Sequence, residues 1–358
     1  YTTPLGNVIA VKYGCGAHKK KLMYCAHMDE VGFIVSYIED NGYIRFFNTG
    51  GPNMTSAAYQ EVRFANGTHG ILIPNAGCDN SANCSNTVLD IGARSKKEAQ
   101  RKVKIGDTFA VLSHVTKLTS SVVTGRPLDN RIGVAIQLQA LRTLSERAEK
   151  PYNDVYFAFT VQEECTANGG STAAASVQPD IGIAIDVCGT GDAIGGTPME
   201  CRVGAGAAIC IRDCTIVCDR DVVDAMTKVA EVKKIPYQYE VYVNGGTDAV
   251  PMQKVGLGAK AGVLSIPMRN LHTSAELLDL KDAEAQNIPQ PDLILCCNNI
   301  CNQLTKWFEN LARKFDVPMF LIDTVYNYTP TASEEKVKYV RNQIFIKGTR
   351  KVFLSDVS

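Results

Sequence analysis

The sequence predicts an α/β protein with a mixed, mostly parallel sheet flanked by helices, an inserted β-barrel-like domain and an appended βαβ fragment. Three observations lead to this prediction. Apolar strands alternate with amphipathic helices in the first and central parts of the chain, a pattern typical of parallel sheets. Short strands broken by Gly, Asn and Pro fill residues 43–118. Another strand, helix and strand follow a linker-like segment at 286–291.

Within the α/β part, apolar runs predict the strands and helical spacing predicts the helices. The predicted strands lie at residues 5–11, 21–26, 155–161, 181–187, 237–243 and 259–266, and the predicted helices at 132–144 and 222–232. The appended fragment is predicted to have strands at 293–297 and 317–322 around a helix at 300–315. We expect three domains: a discontinuous main domain at 1–42 plus 121–288, an inserted β-rich domain at 43–120, and the fragment at 289–358.

The charge balance excludes several classes of partner. The chain has 37 Lys and Arg residues and 37 Asp and Glu residues, so it has no net basic field to hold nucleic acid or an anionic membrane. Its apolar runs are shorter than the ~18 residues that a membrane helix needs. The first residues lack the basic head and apolar core of a signal peptide. We therefore expect a cytoplasmic protein.

Cysteine usage favours reduced thiols over a disulfide framework, because the count of 13 is odd and the chain is long. Cys210, Cys214 and Cys218 stand at four-residue intervals, which could indicate a metal cluster. However, residues 208–218 alternate like a strand, and no fourth ligand lies nearby in the sequence. We therefore expect these cysteines to be buried or at a sheet edge.

A histidine and an aspartate follow the second predicted strand. His27 comes directly after residues 21–26, and Asp29 lies two residues later. The carboxyl ends of parallel strands form the edge where α/β folds place their ligand sites. Imidazole is a good zinc ligand, and a nearby carboxylate can orient it. The alternative for this segment alone is a partly buried histidine with a hydrogen-bonding neighbour.

Further acidic and imidazole side chains recur at the ends of predicted elements, namely Asp129, Glu163, Glu164, Asp186 and His272. Taken alone, Asp129 could be a helix N-cap, and the two adjacent glutamates could belong to a solvated loop. Adjacent strand residues point in different directions, so one glutamate could bind a metal while the other faces a bound water. An aspartate at position 186, inside an apolar run, is costly without a partner, which favours a metal ligand.

Taken in order, these residues and their flanking motifs resemble one family. The motifs are Ala26-His-Met-Asp-Glu-Val-Gly32, Leu89-Asp-Ile-Gly-Ala93, Gln162-Glu-Glu164, Gly245-Gly-Thr-Asp-Ala249 and His272-Thr-Ser-Ala-Glu-Leu-Leu-Asp279. Over residues 4–285 the chain resembles the glutamyl and deblocking aminopeptidases, metallopeptidase family forty-two, which assemble as tetrahedral particles. The resemblance implies a zinc-exopeptidase-like fold. It also implies an enzyme that hydrolyses N-terminal residues from peptides through a metal-bridging water.

Residue by residue, the resemblance implies two divalent metal ions, zinc with cobalt as the alternative. The implied ligands are Asp129 for both ions, His27 and Asp186 for one, and Glu164 and His272 for the other. Glu163 matches the general base, and Asp29 matches the residue that orients His27. The family further implies peptide substrates with a free N-terminus and a homo-oligomer assembled through the inserted domain. The preferred N-terminal residue is left open, since acidic and bulky aliphatic preferences both occur in the family.

Two parts of the sequence depart from the family pattern. Family members carry a helix and a strand before the position of Leu5, so we expect the chain to begin within that region.

Residues 291–342 resemble a piece of the 2-hydroxyacyl-CoA dehydratase subunits, which are iron–sulfur proteins, and Cys301 matches a cluster cysteine. The other cluster ligands belong to segments absent here, so we expect no cluster. Two rival functions follow: an iron–sulfur dehydratase fragment, and an inactive or truncated fusion that retains a metal site.

Overall fold

The computed structural model describes residues 1–75, 83–196 and 198–284, together with the backbone of two strands beyond residue 293. The strands in chain order are β1 (Val8–Lys12), β2 (Lys21–His27), β3 (Gly32–Ile38), β4 (Ile44–Thr49), β5 (Glu61–Phe64), β6 (His69–Pro74), β7 (Thr87–Asp90), β8 (Thr108–Val111), β9 (Thr116–Lys117), β10 (Val122–Thr124), β11 (Asp154–Thr160), β12 (Ile181–Cys188), β13 (Ala207–Arg212), β14 (Tyr237–Val241), β15 (Lys260–Pro267), β16 (Leu277–Asp279), β17 (Ile294–Cys297) and β18 (Met319–Ile322). The helices are α1 (Met54–Ala57), α2 (Lys96–Ala99), α3 (Arg131–Glu146), α4 (Glu163–Thr166), α5 (Asn168–Val177), α6 (Arg220–Lys233), α7 (Ala249–Lys254) and α8 (Leu280–Glu284).

The central sheet has seven strands in the order β1-β11-β2-β12-β15-β13-β14. Strands β11, β2, β12 and β15 run parallel to one another, and β13 runs parallel to β14. The antiparallel pairs are β1 with β11 and β13 with β15. The prediction of a mixed, mostly parallel sheet is therefore confirmed. Its strands are apolar on both faces because α3 packs on one face and α5, α6 and α7 pack on the other.

Helix α3 begins beside the carboxyl edge of the sheet. Its N-cap is Asn130, whose Oδ1 accepts the Gly133 N–H at 3.2 Å, while the Asn130 Nδ2 donates to the Ile185 carbonyl at 2.9 Å. The helix buries Ile136 against the sheet. Because Asn130 supplies the cap, the N-cap alternative for Asp129 does not apply, and the Asp129 carboxylate is available for another role.

Six strands form a closed barrel in the order β3-β4-β7-β6-β5-β8. Its core is aromatic: Phe33, Phe46, Phe64 and Phe109 pack with ring centroids 4.9 to 5.5 Å apart. The predicted inserted barrel is confirmed. Its first strand begins at Gly32, earlier than the boundary at 43 suggested by the change in sequence pattern, because β3 is as apolar as the sheet strand before it. The division into three domains remains a prediction.

The segment 208–218 differs from its predicted strand. Strand β13 ends at Arg212, and Asp213 then turns the chain because its Oδ1 accepts two backbone N–H groups ahead of it, at 2.6 and 2.8 Å. Cys210 and Cys218 are buried on either side of this turn, and Cys214 is exposed. The side-chain groupings within the described residues that could hold a metal include no cysteine.

A second unit of the chain begins at residue 290. Its described backbone consists of β17 and β18, which pair in parallel with Ile294 opposite Met319. Both strands fall within the predicted strands at 293–297 and 317–322. The predicted helix at 300–315, the linker-like segment at 286–291 and Cys301 lie outside the described residues. Throughout the described chain, no helix is long and apolar enough to cross a membrane.

Candidate metal centre

The carboxyl edge of the central sheet gathers the predicted ligands. Strands β2, β11 and β12 are parallel neighbours, so their ends meet at one place. His27 is the last residue of β2, and Asp186 lies near the end of β12. Both are buried, as is Asp129, which stands just before α3. Glu164 is the second residue of α4, the short helix after β11, and His272 follows β15.

These side chains form two groups that share one carboxylate. His27, Asp129 and Asp186 form one group, and Asp129, Glu164 and His272 form the other, with ligand atoms in each group within 4.8 Å of one another. The Nε2 of His27 lies 3.2 Å from Asp129 Oδ1, and the Nε2 of His272 lies 3.3 Å from Asp129 Oδ2. Asp129 therefore offers one oxygen to each group, which is the arrangement expected of a ligand shared by two ions.

Hydrogen bonds orient both imidazoles toward Asp129. The Nδ1 of His27 lies 3.2 Å from the Asp29 carbonyl oxygen, and the Nδ1 of His272 lies 2.9 Å from the Gly51 carbonyl oxygen. A carbonyl oxygen can only accept a hydrogen bond, so each Nδ1 carries the proton when these bonds form. The Nε2 lone pair of each neutral ring then faces the shared carboxylate, as metal-ligating histidines require.

The side chain of Asp29 mainly fixes the turn that bears the two glutamates. Its carboxylate lies 3.7 Å from the His27 Nδ1, but it accepts the backbone N–H of Glu163 at 3.1 Å and of Glu164 at 3.2 Å. The turn starts at Gln162, whose backbone is left-handed with φ 57°. Asp29 thus connects the loop after β2 to the loop after β11.

Glu163 lies beside the two groups without belonging to either. Its Oε2 is 3.9 Å from the His27 Nε2. Burial raises the pKa of Glu163 to about 10; His27 opposes this shift, while the negative charges of Asp186 and Asp248 add to it. A carboxyl group that favours its protonated form in this way is suited to accept and return a proton.

The other acids and imidazoles indicate a site with excess negative charge. Burial raises the pKa of Glu164 to about 8, with a further contribution from the charge of Asp129. Burial also raises the pKa of Asp186 to about 6, against the effect of His27. For His272, burial favours the neutral ring, but Asp129 and Glu164 outweigh it and raise the pKa to about 9. Protons compensate the carboxylates here, a role that divalent cations would take over.

Two buried oxygens test whether the residues fit metal ions. Asp129 Oδ1 and Glu164 Oε1 are shielded from solvent and accept no hydrogen bond from the described residues. Buried carboxylate oxygens without partners are costly, and a cation would satisfy both. Imidazole nitrogen with carboxylate oxygen is also a donor set that suits zinc and similar divalent ions. The residues therefore fit two divalent ions.

Sequence reasoning missed two buried acids that support the ligands. Glu276 accepts the backbone N–H groups of Leu128 and Asp129 on its Oε2, at 2.7 and 3.1 Å. Asp248 accepts the hydroxyl of Thr160, the last residue of β11, at 2.5 Å, just before the turn that bears the glutamates. Both acids lie inside motifs noted in the sequence, but a motif alone does not distinguish a supporting acid from a ligand.

A cavity of about 580 Å³ opens onto the centre. Its lining includes the six residues His27, Asp129, Glu163, Glu164, Asp186 and His272. Its lining also includes Asp213, which follows β13, Glu240 of β14, and Tyr242 and Thr247 of the loop after β14. The centre is thus accessible to a small substrate or to the end of a chain.

Comparisons with known proteins show which families this chain is similar to. The family model described as M42 glutamyl aminopeptidase matches residues 6–287. A protein of Acetivibrio thermocellus described as a candidate aminopeptidase is 39% identical over 280 residues, covering 78% of this chain and 82% of its own. The solved structure of an aminopeptidase from Desulfurococcus kamchatkensis covers 87% of both chains with 30% identity and a TM-score of 0.74. The TET1 peptidase of Pyrococcus horikoshii covers 80% of this chain and 87% of its own, with 30% identity and a TM-score of 0.70.

The last part of the chain is similar to a different family. A model described as 2-hydroxyglutaryl-CoA dehydratase, D-component, matches residues 247–350, which overlaps the end of the first match. The alpha subunit of a (R)-phenyllactyl-CoA dehydratase from Clostridium sporogenes is 51% identical over 67 residues. That match covers 19% of this chain and only 16% of the subunit, so the similarity is confined to a small part of such a subunit.

Proposed function

This chain belongs to the M42 glutamyl aminopeptidase family, and from that premise we propose that it removes single residues from the free N-terminus of peptides. The proposed ligands of two divalent cations are His27 and Asp186 for one ion, Glu164 and His272 for the other, and Asp129 for both. The observation that best supports these ligands is that the residues form two groups of three that share Asp129. In each group the ligand atoms lie within 4.8 Å of one another.

The protein's own groups have distinct tasks in this proposal. Two bound divalent ions would act as Lewis acids that polarise the scissile carbonyl and lower the pKa of water. Glu163 takes the proton from the attacking water and returns it to the leaving amine. Its Oε2 lies 3.9 Å from the His27 Nε2, close to the centre but outside both groups of ligands, which supports this assignment. Asp29 positions Glu163 and Glu164 through their backbone N–H groups.

A substrate pair tests the proposal directly. The metal-loaded chain should release p-nitroaniline from aminoacyl p-nitroanilides but not from the same compounds after N-acetylation. Asp129→Asn should abolish turnover and reduce the metal content, because the shared ligand is weakened. A chain that cleaves acetylated and free substrates equally well would not be an aminopeptidase.

We also propose zinc as the native metal, with cobalt as a functional substitute. Two imidazoles together with carboxylates suit zinc, which accepts nitrogen and oxygen ligands. Elemental analysis of the protein purified without added metal should give about two zinc ions per chain. Restoration of a chelator-treated sample by Mg²⁺ alone, and not by Zn²⁺ or Co²⁺, would contradict this choice.

The barrel is the proposed assembly surface. It exposes large apolar side chains, including Phe47 and Tyr59, which are 65% and 71% accessible. Assembly of copies through the barrel would remove such side chains from water, which is favourable. The related TET1 peptidase is described as assembling into a tetrahedron or a large octahedral shell, and we propose that this chain forms a homo-oligomer too. Phe47→Ser should reduce the assembled fraction in light scattering.

Cytoplasmic location remains a prediction, to be tested by cell fractionation.

A further inference from the structure

His272 stands in a turn with an unusual backbone. The His272 turn covers residues 270–276 between β15 and β16, and Arg269 pairs with Leu277 at its base. Asn270 and His272 have left-handed backbones, with φ 58° and 60°. Residues other than glycine rarely adopt this conformation and keep it only where the surrounding structure holds it. The contacts that hold His272 therefore matter for the proposed metal centre.

The barrel holds His272 itself. The Nδ1 of His272 donates to the Gly51 carbonyl at 2.9 Å, and the His272 carbonyl accepts the Asn53 N–H at 3.0 Å. Gly51 and Asn53 lie between β4 and β5, which are both strands of the barrel. His272 is thus bound to the barrel through its side chain and through its backbone.

A second part of the barrel holds the His272 turn two residues further along. Ser113 follows β8, the last strand of the barrel in the chain. Its hydroxyl donates to the Ser274 carbonyl at 2.6 Å, in a partly buried hydrogen bond. The barrel therefore contacts the turn at two places, from the loop between β4 and β5 and from the segment after β8.

The loop between β4 and β5 also contacts Glu164. A Cβ added at Gly50 would lie 3.1 Å from the Cβ of Glu164 and 3.1 Å from its carbonyl oxygen. Glu164 and His272 are the two residues of their group that the other group lacks, since Asp129 is shared. The barrel therefore contacts both residues that distinguish this group.

His272 is also the most exposed of the five proposed ligands. Its side chain is 34% exposed, whereas the side chains of the other four are at most 8% exposed. Packing restrains an exposed side chain less than a buried one. The hydrogen bonds from the barrel are therefore expected to contribute more to the position of His272 than to that of a buried ligand such as His27.

From these contacts we infer that Ser113 and the backbone N–H of Asn53 are positioning groups for the ion held by Asp129, Glu164 and His272. This inference rests on the proposed function, because the ion is part of it. The two groups keep the His272 Nε2 at 3.3 Å from Asp129 Oδ2 and 3.4 Å from Glu164 Oε2. Neither residue is among the described residues that line the cavity, so each acts through the His272 turn.

Removal of the Ser113 hydroxyl tests the first contact. Zinc bound to the chelator-treated full chain is measured after dialysis against buffers of fixed free Zn²⁺, and His272→Ala, which lacks one ligand, identifies the binding step of this ion. Ser113→Ala should weaken that step by about 5-fold, the effect of losing one hydrogen bond, and leave the other step unchanged. Ser113→Thr keeps a hydroxyl and should bind within about 2-fold of the original.

A matched control removes a similar hydrogen bond elsewhere. The Ser145 hydroxyl donates to the Arg142 carbonyl at 2.7 Å, on the exposed end of α3. Ser145→Ala should leave both binding steps unchanged, because this bond does not restrain the His272 turn.

Two substitutions at position 53 isolate the backbone contact. Asn53→Ala removes the side chain, whose Oδ1 accepts the Ser56 N–H at 2.9 Å, but it keeps the backbone N–H. Asn53→Pro removes both, and the φ of −73° at this position suits proline. Asn53→Pro should therefore weaken the step of the same ion by about 5-fold relative to Asn53→Ala.

The outcomes separate this inference from the proposed function. Unchanged zinc binding in Ser113→Ala overturns the inference, as does equal weakening of both steps, which would indicate general destabilisation. Equal binding by Asn53→Pro and Asn53→Ala overturns it as well. In each of these cases the original chain still binds two ions and cleaves free N-termini, so the proposed function stands. If the original chain binds no zinc, the proposed function fails, and this inference fails with it.

Discussion

Glu276 anchors the backbone of Asp129: its Oε2 accepts the Asp129 N–H at 3.1 Å. The same oxygen accepts the preceding N–H, of Leu128, at 2.7 Å. Glu276 is 1% exposed and Asp129 is 5% exposed, so both hydrogen bonds are shielded from water. Through them, the segment between His272 and β16 fixes the backbone that bears the carboxylate shared by the two groups of proposed ligands.

Substitutions at position 276 should separate hydrogen bonding from charge. Glu276→Gln preserves an acceptor oxygen and should change the free energy of unfolding by less than ~1 kcal/mol. Glu276→Ala leaves two buried N–H groups without a partner and should cost about 2–4 kcal/mol, with reduced metal content. Urea denaturation and elemental analysis provide the measurements. Equal losses in both variants would mean that the charge of Glu276, rather than its acceptor oxygen, matters.

Glu163 and Glu164 are expected to have different roles despite being adjacent. Glu164→Gln should lower the metal content, because it removes a ligand charge. Glu163→Gln should keep both ions while kcat falls by about 10²–10⁴, the usual contribution of general acid–base catalysis. Metal content by elemental analysis and initial rates distinguish the two variants. Equal metal loss in both would refute the assignment.

Metal binding should release protons at neutral pH. In the ion-free chain, burial and the charge of Asp129 raise the pKa of Glu164 to about 8. The neighbouring carboxylates Asp129 and Glu164, against the effect of burial, raise the pKa of His272 to about 9. Both groups therefore hold a proton at pH 7, and both must lose it to bind a metal.

The sign of the pH dependence follows from these raised pKa values. As pH rises from about 6 toward 9, fewer protons compete with the metal, so affinity should increase by about 10-fold per pH unit for each proton released. Titration calorimetry in buffers of different ionisation enthalpy measures the number of protons. Affinity that is independent of pH, with no buffer dependence, would contradict the raised pKa values.

The part of the chain beyond Ala285 should be dispensable for the peptidase site. Every proposed ligand precedes that residue. The later part contains three cysteines, Cys296, Cys297 and Cys301, fewer than the four that an iron–sulfur cluster usually takes. A chain ending at Ala285 should keep its metal and the aminopeptidase activity of the full chain. Loss of both, or an iron–sulfur absorbance band in the anaerobically purified full chain, would show that the tail has an active role.

Several elements were predictable because local pattern and tertiary packing agree. The apolar runs that become β2, β12 and β15 are buried on both faces, so their composition alone identifies them. Helix α5 was not predicted, because Gly169 and Gly170 in its first turn each cost about 1 kcal/mol relative to alanine. Packing requires both glycines: an added Cβ would lie 2.0 Å from the Val161 carbonyl oxygen or 2.2 Å from Asp248 Oδ1.

The local sequence pattern could not decide the role of a polar side chain when two roles were possible. Asp129 and Asn130 are both good N-cap residues, and only the bond from Gly133 to Asn130 assigns the cap. Residues 208–218 kept the alternation of a strand although Asp213 turns the chain. The sequence around Glu240 gives no sign that its carboxylate reaches Ser265, because that contact crosses an intervening strand.

The sequence by itself determined which residue types stand at the ends of which strands, and thereby the chemistry available to the site. It did so because strand periodicity and the cost of burying unpaired acids are local properties. Only the tertiary structure decided that His27 and His272 meet at one carboxylate. In the sheet, β11 lies between β1 and β2, and β15 lies beside β12. In the chain, by contrast, all six strands of the barrel come between β2 and β11. That order depends on packing and pairing over long sequence distances, which local pattern does not encode.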